Sequence, residues 1–208
     1  MAAINLHTVV QALSISVALT GAGGIAALSL FDIPEIRSQP ADRALPMIRW
    51  LFSRGSHIFP QASVLSAAGF GYLAYKTLPV VTLKSLGTNG YVSAALLAFS
   101  IAPFTPIVMI PNNFALIEKN EDLGGARSAA NAKLGPSGNT TAEESVDGKG
   151  QVSQFTDLSD PQTKTKQGST TTDNEEVKEM LRKFQMQNMV RALLLGAGGI
   201  VGLITALT

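Results

Sequence analysis

No cysteine occurs in the 208 residues, which excludes disulfides, thiolate metal sites, thioether-attached haem and cysteine redox relays. Histidine is nearly as scarce. The two present are His7 and His57; the topology argued below puts them on opposite membrane faces, so they do not form a shared zinc or non-haem iron centre. Charged residues make up 15% of the chain, and a net charge of +1 offers no electrostatic footprint for nucleic acid. Internal repeats are also missing.

What is present is apolar sequence, segregated. The hydrophobic fraction is 46% and the mean hydropathy +0.22, yet charge is nearly absent from four windows: Thr8 to Leu30, Phe59 to Val81, Tyr91 to Pro111 and Met189 to Leu207. Each is close to the roughly 20 apolar residues that cross a bilayer. These windows predict an all-α fold: a four-helix transmembrane bundle with a long, largely disordered polar loop between helices 3 and 4. The expected division is 1–118 for the first three helices, 119–172 for the polar linker, and 173–208 for an amphipathic helix continuing into the fourth span. The first span lacks the basic start of a secretory signal and its apolar run is too long for one, so it is read as retained. Gly198 with Gly202, Ala22 with Ala26, and Ala67 with Gly71 are small-xxx-small pairs, which permit close helix approach within a bundle or between copies of it in an oligomer.

Lysine and arginine set the expected orientation. The first connection carries Arg37, Arg43, Arg49 and Arg54, and the third carries Lys119, Arg182, Lys183 and Arg191, whereas the second has only Lys76 and Lys84. The positive-inside rule puts connections one and three in the cytosol and both termini on the non-cytosolic side of an endoplasmic reticulum or other endomembrane. The sequon Asn139-Thr140-Thr141 then faces the cytosol and stays unmodified.

From Gly124 to Thr172 the third connection is rich in Gly, Ser, Thr, Asn, Asp and Gln, a composition that buries too little surface to offset ordering entropy. Phe155 and Leu158 are isolated apolar residues in it, incidental or a short docking motif. Order is expected to return at Asp173 and Glu176, which have capping-box spacing. Val177, Met180, Leu181, Phe184 and Asn188 then follow at helical spacing.

Alternating helices bring one set of span ends to a single membrane face. Arg49, Trp50, Arg54, His57, Thr105, Asn112, Asn113 and Arg191 fall there, and the opposite face offers little beyond Lys76, Lys84, Thr88 and Asn89. His57 is a general base or a structural interfacial histidine; imidazole titrates near neutrality. Arg49 and Arg54 are a clamp for an enolate or phenolate, or positive-inside anchors. Trp50 belongs to an interfacial belt or stacks on a ring. Pro103 and Pro106 free backbone carbonyls inside the third span beside Thr105, and these need internal partners or a wet cavity.

The run Pro103-Phe104-Thr105, then Met109, Pro111 and Asn113, resembles the Pro-Phe-Thr, Met, Pro-Thr-Asn run near the end of the third span in the DUF1772 or anthrone oxygenase family. These are small four-span membrane proteins of fungi and bacteria. Trp50, Gly55 and Pro60 are similar to the family's Trp, Gly and Pro signature before the second span, and Asn112 stands where the family often has threonine. The resemblance covers the spans but not Gly124 to Thr172. It implies oxidation of a polyketide anthrone to an anthraquinone by dioxygen as co-substrate, with no resident cofactor or metal. It implies as partners a hydrophobic aromatic small molecule and the lipid bilayer. On that implication His57 is the base, Arg49, Arg54 and Asn113 are oxyanion donors, and Trp50, Thr105 and Asn112 contact substrate. The competing reading is a non-catalytic four-span scaffold whose polar tract recruits partners. A transporter is disfavoured because no span carries an acidic residue.

Overall fold

The structure, a computed structural model, describes residues 5–78, 89–133 and 156–208. The sequon at Asn139, Phe155, Lys84 and the end of the second span at 79–81 lie outside the described residues. Every regular element described is helical: α1 (Leu6–Ala27), a π-helical turn (Leu28–Asp32), α2 (Ile33–Arg37), α3 (Ala41–Thr77), α4 (Gly90–Phe99), α5 (Ile101–Phe104), a second π-helical turn (Thr105–Met109), α6 (Ile110–Asp122), α7 (Ala129–Lys133) and α8 (Thr171–Leu207). Three helical runs, Leu6–Arg37, Gly90–Asp122 and Thr171–Leu207, are long and apolar enough to cross a membrane. The fourth long helix is α3, whose first half carries Asp42, Arg43, Arg49 and Arg54.

Both π turns stand where proline interrupts the helical ladder. Pro34 follows the first, and Pro106 lies within the second. A π turn absorbs the extra carbonyl that a proline without an N–H leaves unmatched. The Ser29 carbonyl, five positions before Pro34, accepts from Gln185 Nε2 at 2.8 Å. In the second turn the Val108 carbonyl accepts from Gln187 Nε2 at 2.9 Å.

The chain forms two compact units. The first comprises residues 1–27, 58–106 and 188–208. It is a bundle of α1, the second half of α3, α4 with α5, and the second half of α8. Its core is Ala18, Ala22, Ile25, Ala67, Phe70, Leu73, Tyr91, Ala94, Ala98, Ile101, Ala192 and Leu195. The Gly196–Gly202 stretch lets α8 touch the three other helices. A Cβ on Gly198 would stand 3.0 Å from the Ala94 carbonyl oxygen, one on Gly199 would stand 2.8 Å from Leu19, and one on Gly202 would overlap the Phe70 ring. Close approach by small residues replaces the hydrophobic drive that is missing between helices in lipid. Of the expected pairs, Gly198 with Gly202 is used in this way, whereas a Cβ on Gly71 would meet nothing within 4 Å.

The second unit comprises residues 28–57 and 107–187. Ile33, Ile36, Leu45, Ile48, Leu116, Ile117, Val177, Leu181 and Phe184 are buried in it, and Phe52 meets Phe184 edge-on at 5.0 Å. The amphipathic stripe expected on α8 is therefore the face it buries, and α8 runs without a break into the fourth span. Its N-terminus lies earlier than expected. The capping box is Thr170 with Asp173, not Asp173 with Glu176: the Asp173 N–H donates to Thr170 Oγ1 at 3.2 Å and the Thr170 N–H to Asp173 Oδ2 at 2.8 Å. Asp173 is thereby the member that reaches back, its carboxylate held by the Thr170 N–H and by Lys119 at 2.7 Å.

The polar connection falls, from 134 to 155, outside the described residues. Its flanks are tied down by hydrogen bonds. The Thr165 N–H donates to the Asp42 carbonyl at 2.8 Å, the Gln167 N–H to the Leu123 carbonyl at 3.0 Å, and Lys164 pairs with Asp42 at 2.9 Å. Asn174 caps the first N–H of α3 at Ala41, at 2.7 Å. A composition argument weighs apolar burial only; these flanks are held by polar groups that helix ends leave unmatched.

Candidate functional site

In α3, residues 49, 50, 53, 54 and 57 recur at helical spacing and share one face. Arg54 lies over the Trp50 ring, 4.8 Å from its centroid, a cation–π contact. Both reach the same acceptor: Trp50 Nε1 donates to the Ser159 carbonyl at 2.9 Å and Arg54 Nη2 at 3.3 Å. Ser159 is itself fixed, its N–H and hydroxyl donating to Asp157 Oδ1 at 3.0 and 2.6 Å. The Ser128 hydroxyl donates to Asp157 Oδ2 at 2.5 Å.

Around this knot stand two more guanidinium groups. Arg49 and Arg127 are each 2% exposed. Burial, with Arg127 nearby, lowers Arg49 to about 10, and Glu121 pulls in the opposite direction. Arg127 is lowered as well, first by burial and then by Arg54, against the raising effect of Asp157. Burial alone would raise the Asp157 carboxyl; hydrogen bonds from Ser128 and Ser159 and the charge of Arg54 outweigh it and hold the group below the ordinary carboxylate value. Three guanidinium groups and two carboxylates thus interact electrostatically beside the Trp50 ring, with Arg49 and Arg127 the most deeply buried of them.

The expected site residues divide as follows. Arg49, Trp50 and Arg54 come together at this cluster, and His57, half-buried, follows Arg54 by one turn on the same face. Asn112 is buried on α6, its Nδ2 donating to the Met180 carbonyl at 3.1 Å. Asn113, on α6 in the same unit, has a buried Oδ1 with no hydrogen-bond partner among the described residues. Thr105 belongs to the first unit and returns its hydroxyl to the Ile101 carbonyl at 2.9 Å. Arg127, Asp157 and Ser159 were not legible as site residues, because they lie in the polar tract. The one local signal for them is Asp157 two residues before Ser159, the spacing of an Asx turn.

Asp157 is expected to hold Trp50 in place. As a carboxyl whose folded value is depressed, its contribution is complete above the 3.8 of an unfolded aspartate and is lost as pH falls through the folded value below that. Trp50 is the sole tryptophan, so its emission reports the knot. Asp157→Ala is expected to move that emission to longer wavelength at neutral pH, and the wild type to do so only below about pH 4. An unchanged spectrum in Asp157→Ala would show that Ser159 stays docked without it.

A family model described as anthrone oxygenase matches residues 49–201. No curated protein and no solved structure matches the chain.

Proposed function

We propose that this chain, which belongs to the anthrone oxygenase family, is a membrane oxygenase that converts a hydroxylated anthrone or related phenolic substrate to the quinone with dioxygen. The observation that carries the reading is the family match over residues 49–201, which spans Arg49, Trp50, Arg54, His57 and Asn113. The clustering of Arg49, Arg54 and Arg127 about Trp50 supports it.

In this reading His57 takes a proton from the acidic ring methylene, and the electron pair left behind delocalises into the ring carbonyl as an enolate. Arg49 or Arg54 and the Asn113 carboxamide stabilise that oxyanion; one well-placed donor is worth about 10²–10³ in rate. Trp50 lies against the ring face. The enolate is the reductant: it passes electrons to dioxygen and forms a C–O bond at the former methylene carbon. Loss of the second methylene proton with O–O cleavage gives the carbonyl and one water. One oxygen atom thus enters the quinone and the other leaves as water, and no resident cofactor is needed. Both termini lie on the non-cytosolic side of an endomembrane.

Membranes carrying the protein are expected to show dioxygen uptake matched one for one by quinone when given hydroxylated anthrones, above the autoxidation of empty membranes. Folded protein with no rate above that background would overturn the oxygenase reading and leave a four-span scaffold.

A further inference from the structure

Leu158 is 92% exposed, more than any other large apolar side chain among the described residues. A leucine exposed alone on a soluble surface needs no explanation, but this one is held in place from both sides. Before it, Asp157 accepts from the Ser128 hydroxyl at 2.5 Å. After it, the Ser159 hydroxyl accepts from the Ala130 N–H at 3.2 Å and the Asp160 carbonyl from the Ala129 N–H at 2.8 Å. With Trp50 and Arg54 both donating to the Ser159 carbonyl, the turn is tied to α3 and to the start of α7 while its leucine projects away from the protein.

The other exposed large apolar residues of the second unit are Leu30, Phe31, Ile107, Val108 and Met186. All five stand in helical runs long and apolar enough to cross a membrane. Leu158 stands in non-helical chain, and α3 gives its level. Ser159 is bonded to Arg54, five residues before the apolar window that opens at Phe59. At about 1.5 Å per residue that is roughly 7 Å along the helix, and less across the membrane if the helix tilts. The polar zone on each side of the hydrocarbon is about 5–8 Å deep, so the turn falls within the headgroup layer. Tryptophan and arginine are the residues that occupy this layer, and Ile58, one turn beyond Arg54 on α3, is already 59% exposed.

We propose that residues 157–160 form a membrane-surface anchor, with Leu158 inserted among the upper acyl chains of the adjoining leaflet. The partner is lipid, and the two readings of Leu158 in the sequence, incidental or a docking motif, resolve to docking on the bilayer. An apolar side chain at this level gains by leaving water, and because the turn is already fixed by hydrogen bonds, little ordering entropy opposes the insertion. Asp160, exposed beside it, stays among headgroups and water. The anchor holds the Ser159 carbonyl against Trp50 and Arg54 from the lipid side. It rests on the apolar spans and not on the oxygenase reading.

The chain has no cysteine, so a single introduced one reports on its own position. The test uses the full chain in lipid nanodiscs, with an environment-sensitive fluorophore on Leu158→Cys and the same fluorophore on Thr163→Cys as control. Thr163 is exposed and adjoins Lys164, which pairs with Asp42, twelve residues before Arg54 on α3 and away from the span. Neither side chain packs into the protein, so both variants are expected to fold as wild type does. The label at 158 is expected to emit at shorter wavelength than the label at 163, to be quenched by lipid carrying a nitroxide near the top of its acyl chain, and to be severalfold less accessible to aqueous iodide. Equal iodide accessibility at the two positions, without lipid quenching at 158, would overturn the proposal and leave Leu158 in water. Protection from iodide without lipid quenching would overturn it too, because the cover would then be protein, either another segment of this chain or a second copy.

Discussion

His57→Ala is expected to slow quinone formation by about 10²-fold or more, the usual contribution of a positioned general base. The loss should fall on kcat with KM little changed, since the imidazole acts on a proton in flight and contributes little to holding the ring. His57 lies on the α3 face that carries Arg54 and Trp50, so a base there works beside the charge that steadies the enolate it creates. Added imidazole should restore part of the rate to the alanine variant, because the missing side chain leaves room for it. His57→Ala turning over at the wild-type rate would remove the base assignment. A fall in which KM rises and kcat holds would make His57 a binding residue instead.

Gly198→Val is expected to be the most damaging single substitution in the bundle. A Cβ at Gly198 would stand 3.0 Å from the Ala94 carbonyl oxygen and 3.2 Å from the Ala98 nitrogen. Both are backbone atoms, so α8 and α4 must part to admit the two further methyl groups of valine. Overpacking of this kind costs about 1–3 kcal/mol, and for a chain of this size each kcal/mol lowers Tm by roughly 2–4 °C. Gly23→Ala is the matched control: a Cβ there meets nothing within 4 Å, and alanine gains up to about 1 kcal/mol in helix propensity. Equal melting temperatures for the two variants in the same detergent would show that the small-residue contact does not hold the bundle together.

The same contrast bears on what small-xxx-small spacing conveys. Gly198 with Gly202 and Ala67 with Gly71 look alike in the chain, and only the first pair is used throughout, because spacing says that two residues share a helix face but not which face meets a neighbour. The capping box behaved similarly. Thr170 and Asp173 satisfy the pattern as well as Asp173 and Glu176 do, and it is the first pair that forms, while Asp173 and Glu176 both pair with Lys119.

The amino-acid order by itself determined the helical class, the apolar spans, the exclusion of cysteine chemistry and the family. These are local properties: an apolar window of about 20 residues or a Pro-Phe-Thr run is complete where it stands. The tertiary structure decided what surrounds Trp50 and Arg54, which of the arginines are buried, and where the polar flanks dock. Ser159 lies 109 residues along the chain from Trp50, and Asp157 takes its hydrogen bond from Ser128, 29 residues before it. Nothing in a polar tract announces its partner. Its hydrogen bonds have the same chemistry whether they go to water or to a helix 109 residues distant, and only burial of both ends in one place makes the difference.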